Sequence, residues 1–366
     1  MLYLFFLSMF ITSTVALLLI RYVHLHQKTS GDNHTTGPQK FHIGLTPRIG
    51  GIPIVLGFCI GAYVAVLFRF ISGELVSNLI ISATPVFLLG LGDDLFKRVA
   101  PVWRLLSSFV SAVIASVLLK TIILHVGIPG SLELFAYFPV IALLFTIVSV
   151  GGLCHSLNII DGYNGLASGV SAMIFFALGY VCADVGDIAL FSLCIICAGS
   201  VVGFMIWNFP RGLIFAGDGG AYFIGFLIAE ISILLVTRNP KVSPWFPFTL
   251  VIYPVWETIY TMYRRKFIQG IETTLPDSLH LHQMVFRRLV RWMVGKREAK
   301  HLLRRNSLTA PYLWGMGLLT VVPAVLLWEQ PLFLQVCCLF FIIFYLWLYR
   351  RLVRFRSPRW LVIRKN

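Results

Sequence analysis

The sequence predicts an all-α polytopic membrane protein with about 11 transmembrane helices, its N-terminus outside and its C-terminus cytoplasmic. Three observations carry that prediction. Of 366 residues, 58% are hydrophobic and only 12% charged, with a mean hydropathy of +0.85; a water-soluble surface of this size needs more charge. Apolar runs of roughly 18 residues, long enough to cross about 30 Å of hydrocarbon, recur along the whole chain. Every Lys and Arg except Arg69, Lys120, Arg238 and Lys241 falls on one side of the resulting zigzag, the positive-inside bias of integral membrane proteins. The net charge of +15 is therefore read as topology and attraction to membrane lipid headgroups, and no nucleic acid is expected as a partner.

The chain reads as a single transmembrane domain, 1–366. Span 1 covers about 2–20; no basic region precedes it and Arg21 follows, so an uncleaved span is expected rather than a signal peptide. A polar loop with Gly31, Asp32, Asn33, Pro38 and Lys40 closes on Thr46-Pro47-Arg48-Ile49-Gly50-Gly51. Spans 2 and 3 follow at about 52–68 and 76–92, the second ending at Gly92-Asp93-Asp94. Span 4 is placed at about 104–123, span 5 at 135–154, span 6 at 166–182 and span 7 at 188–207. The polar segment Asn208 to Gly220 leads into span 8, about 221–236. Span 9, about 246–263, feeds a long basic cytoplasmic loop, 264–307. Spans 10 and 11, about 308–327 and 331–349, precede a basic cytoplasmic tail, 350–366. Prolines 85, 139, 254 and 323 fall within spans and predict kinks. Seven cysteines, most of them inside apolar runs, show no metal or redox spacing and predict no disulfide.

With the tail inside, the loops after spans 3, 5, 7 and 9 are all cytoplasmic, and these are the loops that hold the polar motifs. The first motif is Asp93-Asp94. Paired carboxylates at a span end are costly unless they bind a cation or exchange a proton, and a like-charged neighbour raises one pKa, as a general base requires. The bland alternative is an interfacial acidic cap paired with Lys97 and Arg98. The second motif, Asn158-Ile-Ile-Asp161-Gly162-Tyr-Asn164-Gly165-Leu-Ala-Ser-Gly169, puts oxygen ligands suited to a hard cation beside glycines that let a backbone turn or approach a ligand. It exceeds what a helix cap needs.

The third motif is Phe215-Ala216-Gly217-Asp218-Gly219-Gly220, where a helix start offers backbone N–H groups to a phosphate and Asp218 can hold Mg²⁺ against it. The fourth, Asp277-Ser278-Leu279-His280-Leu281-His282-Gln283 with Arg287, Arg288 and Arg291, lacks the Cys or His spacing of a zinc site; its cations suit phosphate oxygens. Arg264 and Arg265 at the end of span 9 read as topology anchors placed within reach of substrate. Glu257 reads as a partner for a basic residue or a support for the site from behind, and Glu230 as a structural hydrogen-bonding group within span 8.

In this order the motifs resemble the polyprenyl-phosphate N-acetylhexosamine-1-phosphate transferase family, over essentially the whole chain from Pro47 to span 11. Each motif is weak alone; four in order on one membrane face are specific. The resemblance implies transfer of a HexNAc-1-phosphate from a UDP-N-acetylhexosamine donor to undecaprenyl phosphate, with release of UMP and dependence on Mg²⁺ (or Mn²⁺), at the cytoplasmic face of a bacterial inner membrane. It leaves a homodimer open.

Carried over by motif, Asp93, Asp94 and Asp161 are the catalytic candidates and Asp218 and Asn158 the metal candidates. Asn164, Arg265, His280, His282 and Arg287 are the substrate-binding candidates. The chain departs from the family's pattern at His155 (often Asn), Lys97 (often an acid), Ala216 and Ala221 (often Met and Ser) and Asn164 (often Asp). His280-Leu281-His282-Gln283 lacks the triple His of the peptidoglycan translocase, which places the chain with the enzymes that start O-antigen and similar lipid-linked glycans.

Two rivals belong to other classes. A transporter of an anionic substrate would place its charges near the bilayer midplane, where only Glu230 lies. An alcohol phosphatidyltransferase would continue Asp161-Gly162 with Ala-Arg, where this chain has Tyr163-Asn164-Gly165.

Overall fold

A computed structural model of the protein describes residues 1–32, 46–270, 277, 279–290 and 299–354. Much of the first polar loop, parts of the basic loop including Ser278 and Arg291, and the tail from 355 lie outside the described residues. The order is α1 (Leu2–Arg21), α2 (Val23–Ser30), β1 (Gly31–Asp32), β2 (Thr46–Pro47), α3 (Gly51–Leu67), α4 (Gly73–Phe96), α5 (Pro101–Leu118), α6 (Ser131–Tyr137), α7 (Pro139–Ile160), α8 (Leu166–Asp184), α9 (Ile188–Asn208) and α10 (Gly217–Arg238). There follow α11 (Trp245–Tyr263), which continues as a π-helical turn over Arg264–Gln269, then α12 (Leu281–Met284), α13 (Ala299–Leu326) and α14 (Pro331–Val353).

Among the described residues, nine helices are long and apolar enough to cross a membrane: α1, α4, α5, α7 to α10, α13 from Asn306 onward, and α14. The protein is a polytopic membrane protein. The expected spans 2 and 9 are also helices, α3 and α11, but α3 has only 17 residues and α11 is not among the nine.

Several boundaries need correction. Span 5 starts at Pro139, after the separate short helix α6, and runs on to Ile160, so Asn158 sits in its last turn rather than in a loop. Asp93 and Asp94 likewise lie inside the last turn of α4, and Asp218 in the first turn of α10. The chain is not purely helical: Gly31–Asp32 pairs antiparallel with Thr46–Pro47, Gly31 opposite Pro47.

Local chemistry accounts for many of these ends. The Ser72 hydroxyl caps α4 by accepting the Leu75 N–H at 3.2 Å, and Asp187 caps α9 through Leu190 N–H at 3.0 Å, each satisfying an orphan donor. α5, α7 and α14 begin with proline, whose missing N–H costs nothing there. Within α4, Pro85 interrupts the backbone ladder. The Ser111 hydroxyl of α5 answers by accepting the Val86 N–H at 3.1 Å, as hydrocarbon surroundings demand.

α10 is the axle of the bundle. It is buried along nearly its whole length, from Gly217 to Leu235, and packs against α4, α7 and α3. Lipid tails give helices no hydrophobic reason to associate, so close contact relies on small residues. A Cβ placed on Gly51 would lie 2.6 Å from Gly220 N, and one on Gly90 would lie 2.7 Å from the Gly219 backbone. On the far side, Gly199 and Gly203 of α9 rest on the backbone of α1 at Phe5 and Met9. The contacts of Gly51 and Gly90 lie at the N-terminal end of α10, where the polar motifs meet.

Candidate active site

The N-terminus of α10 leaves backbone N–H groups without helical partners. Gly217 turns the chain into the helix with φ +72°, and the next two N–H groups, those of Asp218 and Gly219, each donate to the Asp94 carboxylate at 2.9 Å. Asp94 is 2% exposed. Its charge lies at the positive end of the helix dipole, a favourable place for an anion. This corrects one expectation: two of the N–H groups assigned to a substrate phosphate are already held by an acid of α4.

Asp218 is gripped from both sides. One oxygen accepts the Asn158 amide at 2.9 Å and lies 3.6 Å from the Arg48 guanidinium. The other accepts Arg104 at 2.5 Å and the Tyr222 hydroxyl at 3.2 Å. The same Arg104 nitrogen donates to Asp93 at 3.1 Å, while Val99 N–H holds the second Asp93 oxygen, also at 3.1 Å. Arg48 reaches Asp94 at 3.9 Å. Three carboxylates and two guanidiniums thus form one cluster, and Asp93, with 19% of its side chain exposed against 1% and 6% for Asp94 and Asp218, is the accessible acid. Arg48 is carried in by backbone pairing: Gly50 N–H and Gly51 N–H donate to the Phe215 and Ala216 carbonyls, each at 2.9 Å.

Asp161 follows the last turn of α7, partly buried and within electrostatic range of Arg48 and Asp218. Burial pushes its carboxyl up to about 7, Arg48 acting against the shift and Asp218 with it. Asn164 takes a different place from the one expected. Its amide donates to the Pro210 carbonyl at 3.0 Å, its backbone N–H donates to Asn306 at 2.9 Å, and its side chain lies against Gly212. It ties the loop after α9 to the loop after α7 and is 2% exposed.

The histidine motif reaches the same end of the bundle. A Cβ on Gly162 would lie 3.1 Å from His282 Nε2, and the His282 ring meets Tyr163 edge-on at 5.4 Å. Burial, then the neighbouring His280, lowers the His282 pKa to about 3, so the ring facing Gly162 is neutral. His280 stacks on His282 at 5.1 Å and points its nitrogens away from the loop. Nδ1 lies 3.1 Å from Glu257 and Nε2 3.6 Å from Asp277. Asp277 in turn pairs with Arg264. Burial opposes ionisation of Asp277, but His280 and Arg264 outweigh it and hold its pKa below the usual carboxylate range.

Arg264 is therefore a buried partner of the histidine segment rather than a topology anchor. Arg265 is buried in the π turn after α11, and Arg287 half-buried after α12. Glu230 lies fully buried, some 18 Å along α10 from Asp218 at 1.5 Å per residue. Neither of its oxygens has a partner in good hydrogen-bond geometry among the described residues, the Thr121 hydroxyl being its polar neighbour.

The acids suit a hard cation without forming a cage for one. Among the described residues, no group of three His, Cys, Asp or Glu side chains is poised to hold a metal ion. Mg²⁺ is commonly held by one or two carboxylates with substrate phosphates completing its shell. Asp218 and Asp93, joined through one Arg104 nitrogen, fit that donor set, with Asn158 beside them.

Three contributors were not assigned from the sequence: Arg48, Arg104 and Tyr222. Arg104 carried a signal, being the lone cation in the first turn of an otherwise apolar span, ten residues after the acid pair. Tyr222 carried none, since an aromatic near a span end is ordinary.

Fold and site define a polytopic membrane protein whose helix ends converge on a cluster of carboxylates and guanidiniums. Residues 76–236 match Glycosyl transferase family 4, a stretch that contains Asp93, Asp94, Arg104, Asn158, Asp161, Asp218 and Tyr222 and stops short of the histidine motif. The chain is 25% identical over 309 residues, 84% of its length and 80% of the relative's, to a probable undecaprenyl-phosphate N-acetylglucosaminyl 1-phosphate transferase of Bacillus subtilis. It is 29% identical to the undecaprenyl-phosphate α-N-acetylglucosaminyl 1-phosphate transferase of Salmonella typhi, and 28% identical to that of Escherichia coli K12, covering 68% of this chain and 67% of each relative. The resemblance read from the motifs stands: the chain is similar to the undecaprenyl-phosphate sugar-1-phosphate transferases.

Proposed function

We propose that the protein transfers a HexNAc-1-phosphate from a UDP-N-acetylhexosamine to undecaprenyl phosphate, releasing UMP and starting a lipid-linked surface glycan. The observation that carries this reading is the convergence of Asp93, Asp94 and Asp218 with Arg48 and Arg104 where α4 and α10 meet. An oxygen of the lipid phosphate attacks the sugar-bearing phosphorus of the donor, and the bond from that phosphorus to the bridging oxygen breaks as UMP leaves. Both reactants are anions, so repulsion dominates the barrier.

Arg48 and Arg104 present guanidinium hydrogens to phosphate oxygens and offset charge that builds during transfer. Asp93, the most accessible of the three acids, orients the lipid phosphate and accepts its proton at a carboxylate oxygen if the monoanion binds. Asp94 keeps the helix start in place, and Asp218 with Asn158 and Asp93 would hold Mg²⁺. A bound ion would supply further neutralisation of the diphosphate. Single in-line displacement is the reading adopted, since two of the three carboxylates are enclosed by donors.

The reading also includes eleven crossings, with α3 and α11 as the two beyond the nine, the N-terminus outside, and the site at the cytoplasmic face of a bacterial inner membrane. The Lys and Arg distribution supports it.

The test is purified protein with undecaprenyl phosphate and a panel of UDP-HexNAc donors, reading lipid product and UMP with Mg²⁺ and with EDTA. Transfer lost in EDTA and restored by Mg²⁺ is expected; no transfer with any donor overturns the reading. UMP exchange into UDP-sugar without lipid would replace single with double displacement. For orientation, Lys266→Cys, exposed beyond α11, should react with an impermeant maleimide only from the cytoplasmic side.

A further inference from the structure

The last helix, α14, lies far along the chain from the acid cluster and outside the stretch that matches the family. Its buried residues Phe341, Tyr345, Leu348, Tyr349 and Leu352 fall at helical spacing on one stripe. Two of them are tyrosines, and a hydroxyl placed in an apolar span costs free energy unless it finds a partner. Both find one on the histidine segment or its anchor. The Tyr345 hydroxyl donates to Glu257 at 2.7 Å. Glu257 is fully buried, and its other oxygen receives Leu281 N–H at 3.1 Å and faces His280 Nδ1 at the same distance. The Tyr349 hydroxyl donates to the Leu279 carbonyl at 3.0 Å, and its ring lies under the Arg264 guanidinium at 5.9 Å. Tyr260 of α11 packs edge-on against both tyrosines, at 5.6 and 4.9 Å.

We propose that α14 is a positioning element of the active site, in which Tyr345 (through Glu257) and Tyr349 (through the Leu279 carbonyl) hold the His280–His282 segment against the Gly162 loop. The inference rests on the transferase reading for its kinetic consequence alone. His282 touches the Gly162 loop, while His280 has both nitrogens directed at carboxylates, so His280 sets the segment's position and His282 presents its ring. A phenylalanine at 345 or 349 keeps the stripe's packing and removes the tether.

The test is Tyr345→Phe, Tyr349→Phe and the double variant, with three measurements. Steady-state kinetics should show kcat/KM for the UDP-sugar down about tenfold in the double variant, equivalent to about 1.4 kcal/mol, with the KM for undecaprenyl phosphate unchanged. The melting temperature of the solubilised protein should fall by no more than a few degrees, since Glu257 keeps its Leu281 N–H and His280 partners. Leu279→Cys, placed in each background, should react faster with a water-soluble maleimide once the hydroxyls are gone, above the background of the native cysteines, which are buried or half-buried. Parental kinetics and labelling in the double variant would overturn the proposal. So would a loss shared equally by both substrates, with a lowered melting temperature and unchanged labelling, because that pattern belongs to packing alone. Should the parent transfer no sugar from any donor, the proposed function fails and labelling decides this inference by itself: faster reaction upholds the tether, an unchanged rate removes it.

Discussion

Asp94→Asn separates two roles that a paired-acid motif invites one to merge. Both Asp94 oxygens accept N–H groups of the α10 start, at 2.9 Å each. An asparagine keeps one acceptor and turns an NH₂ group toward the other N–H. One charge-assisted bond, about 1.5–3 kcal/mol, is lost, the other falls to an ordinary bond of about 1 kcal/mol, and a buried N–H is left unmet at about 1–3 kcal/mol. Relief of repulsion from Asp218 offsets part of this, leaving a net cost of about 2–4 kcal/mol. For a chain of this length that is a melting-temperature drop of roughly 3–5 °C. If the same bonds hold Asp218 in register, turnover falls roughly 30- to 1000-fold. Asp93→Asn, at the more accessible acid, should lower turnover at least about tenfold with little change in melting temperature. Thermal unfolding of the solubilised variants beside the UMP-release assay measures both. An Asp94→Asn protein as heat-stable as the parent, or an Asp93→Asn protein that loses the several degrees instead, would refute the assignment of Asp94 to the scaffold.

Other outcomes follow from neighbouring contacts. Arg104→Gln removes the one nitrogen shared by Asp93 and Asp218 and should lower turnover by about two orders of magnitude, the scale of a lost charge stabiliser; Arg104→Lys should recover only part, because an ammonium lacks the planar fork, and full activity in the Gln variant would exclude Arg104 from the site. Asp161, raised to about 7 by burial, favours folding most while protonated: that contribution is fully present below the unfolded carboxylate's range near 4 and is lost as pH rises through about 7. In EDTA, the parent's melting temperature should therefore fall relative to Asp161→Asn between about pH 4 and 7.5, and parallel curves would count against a raised Asp161 carboxyl. Gly90→Ala, whose methyl would lie 2.7 Å from the Gly219 backbone, should abolish transfer, whereas Gly152→Ala, with nothing within 4 Å, should leave it intact; equal behaviour of the two would mean that the α4–α10 contact does not set the site.

Much of this arrangement is legible in the chain because hydrocarbon leaves so few choices. Eleven apolar runs predict eleven long helices, and the structure has a helix at each. The errors lie at the ends, where Asn158, Asp93 and Asp94 read as loop residues yet complete the final turns of α7 and α4. A polar residue in the last helical turn looks, in sequence, the same as one just beyond it, since hydropathy falls at both. Which oxygen meets which donor was not legible at all. Asp94 and Asp93 are adjacent and chemically identical, but successive helical residues point about 100° apart, so one faces α10 and the other Arg104. Asn164 reads as a ligand for the same reason that it serves as a tie: a carboxamide bonds backbone and substrate equally well.

The deeper regularity is that the charged site depends on uncharged contacts. Gly51 against Gly220 and Gly90 against Gly219 bring α3 and α4 to within backbone contact of α10, and only that approach lets Asp94 accept two N–H groups and lets Arg48 follow β2 into the cluster. A larger residue at either crossing would hold the carboxylates apart by more than a hydrogen bond's length, whatever their chemistry. Small residues at one end of the bundle and acids at the same end are therefore one feature. A glycine recurring where an apolar span meets an acid marks where two backbones must touch for the acid to find its partner, and in this chain that holds at Gly90 four residues before Asp94, and at Gly219 and Gly220 directly after Asp218.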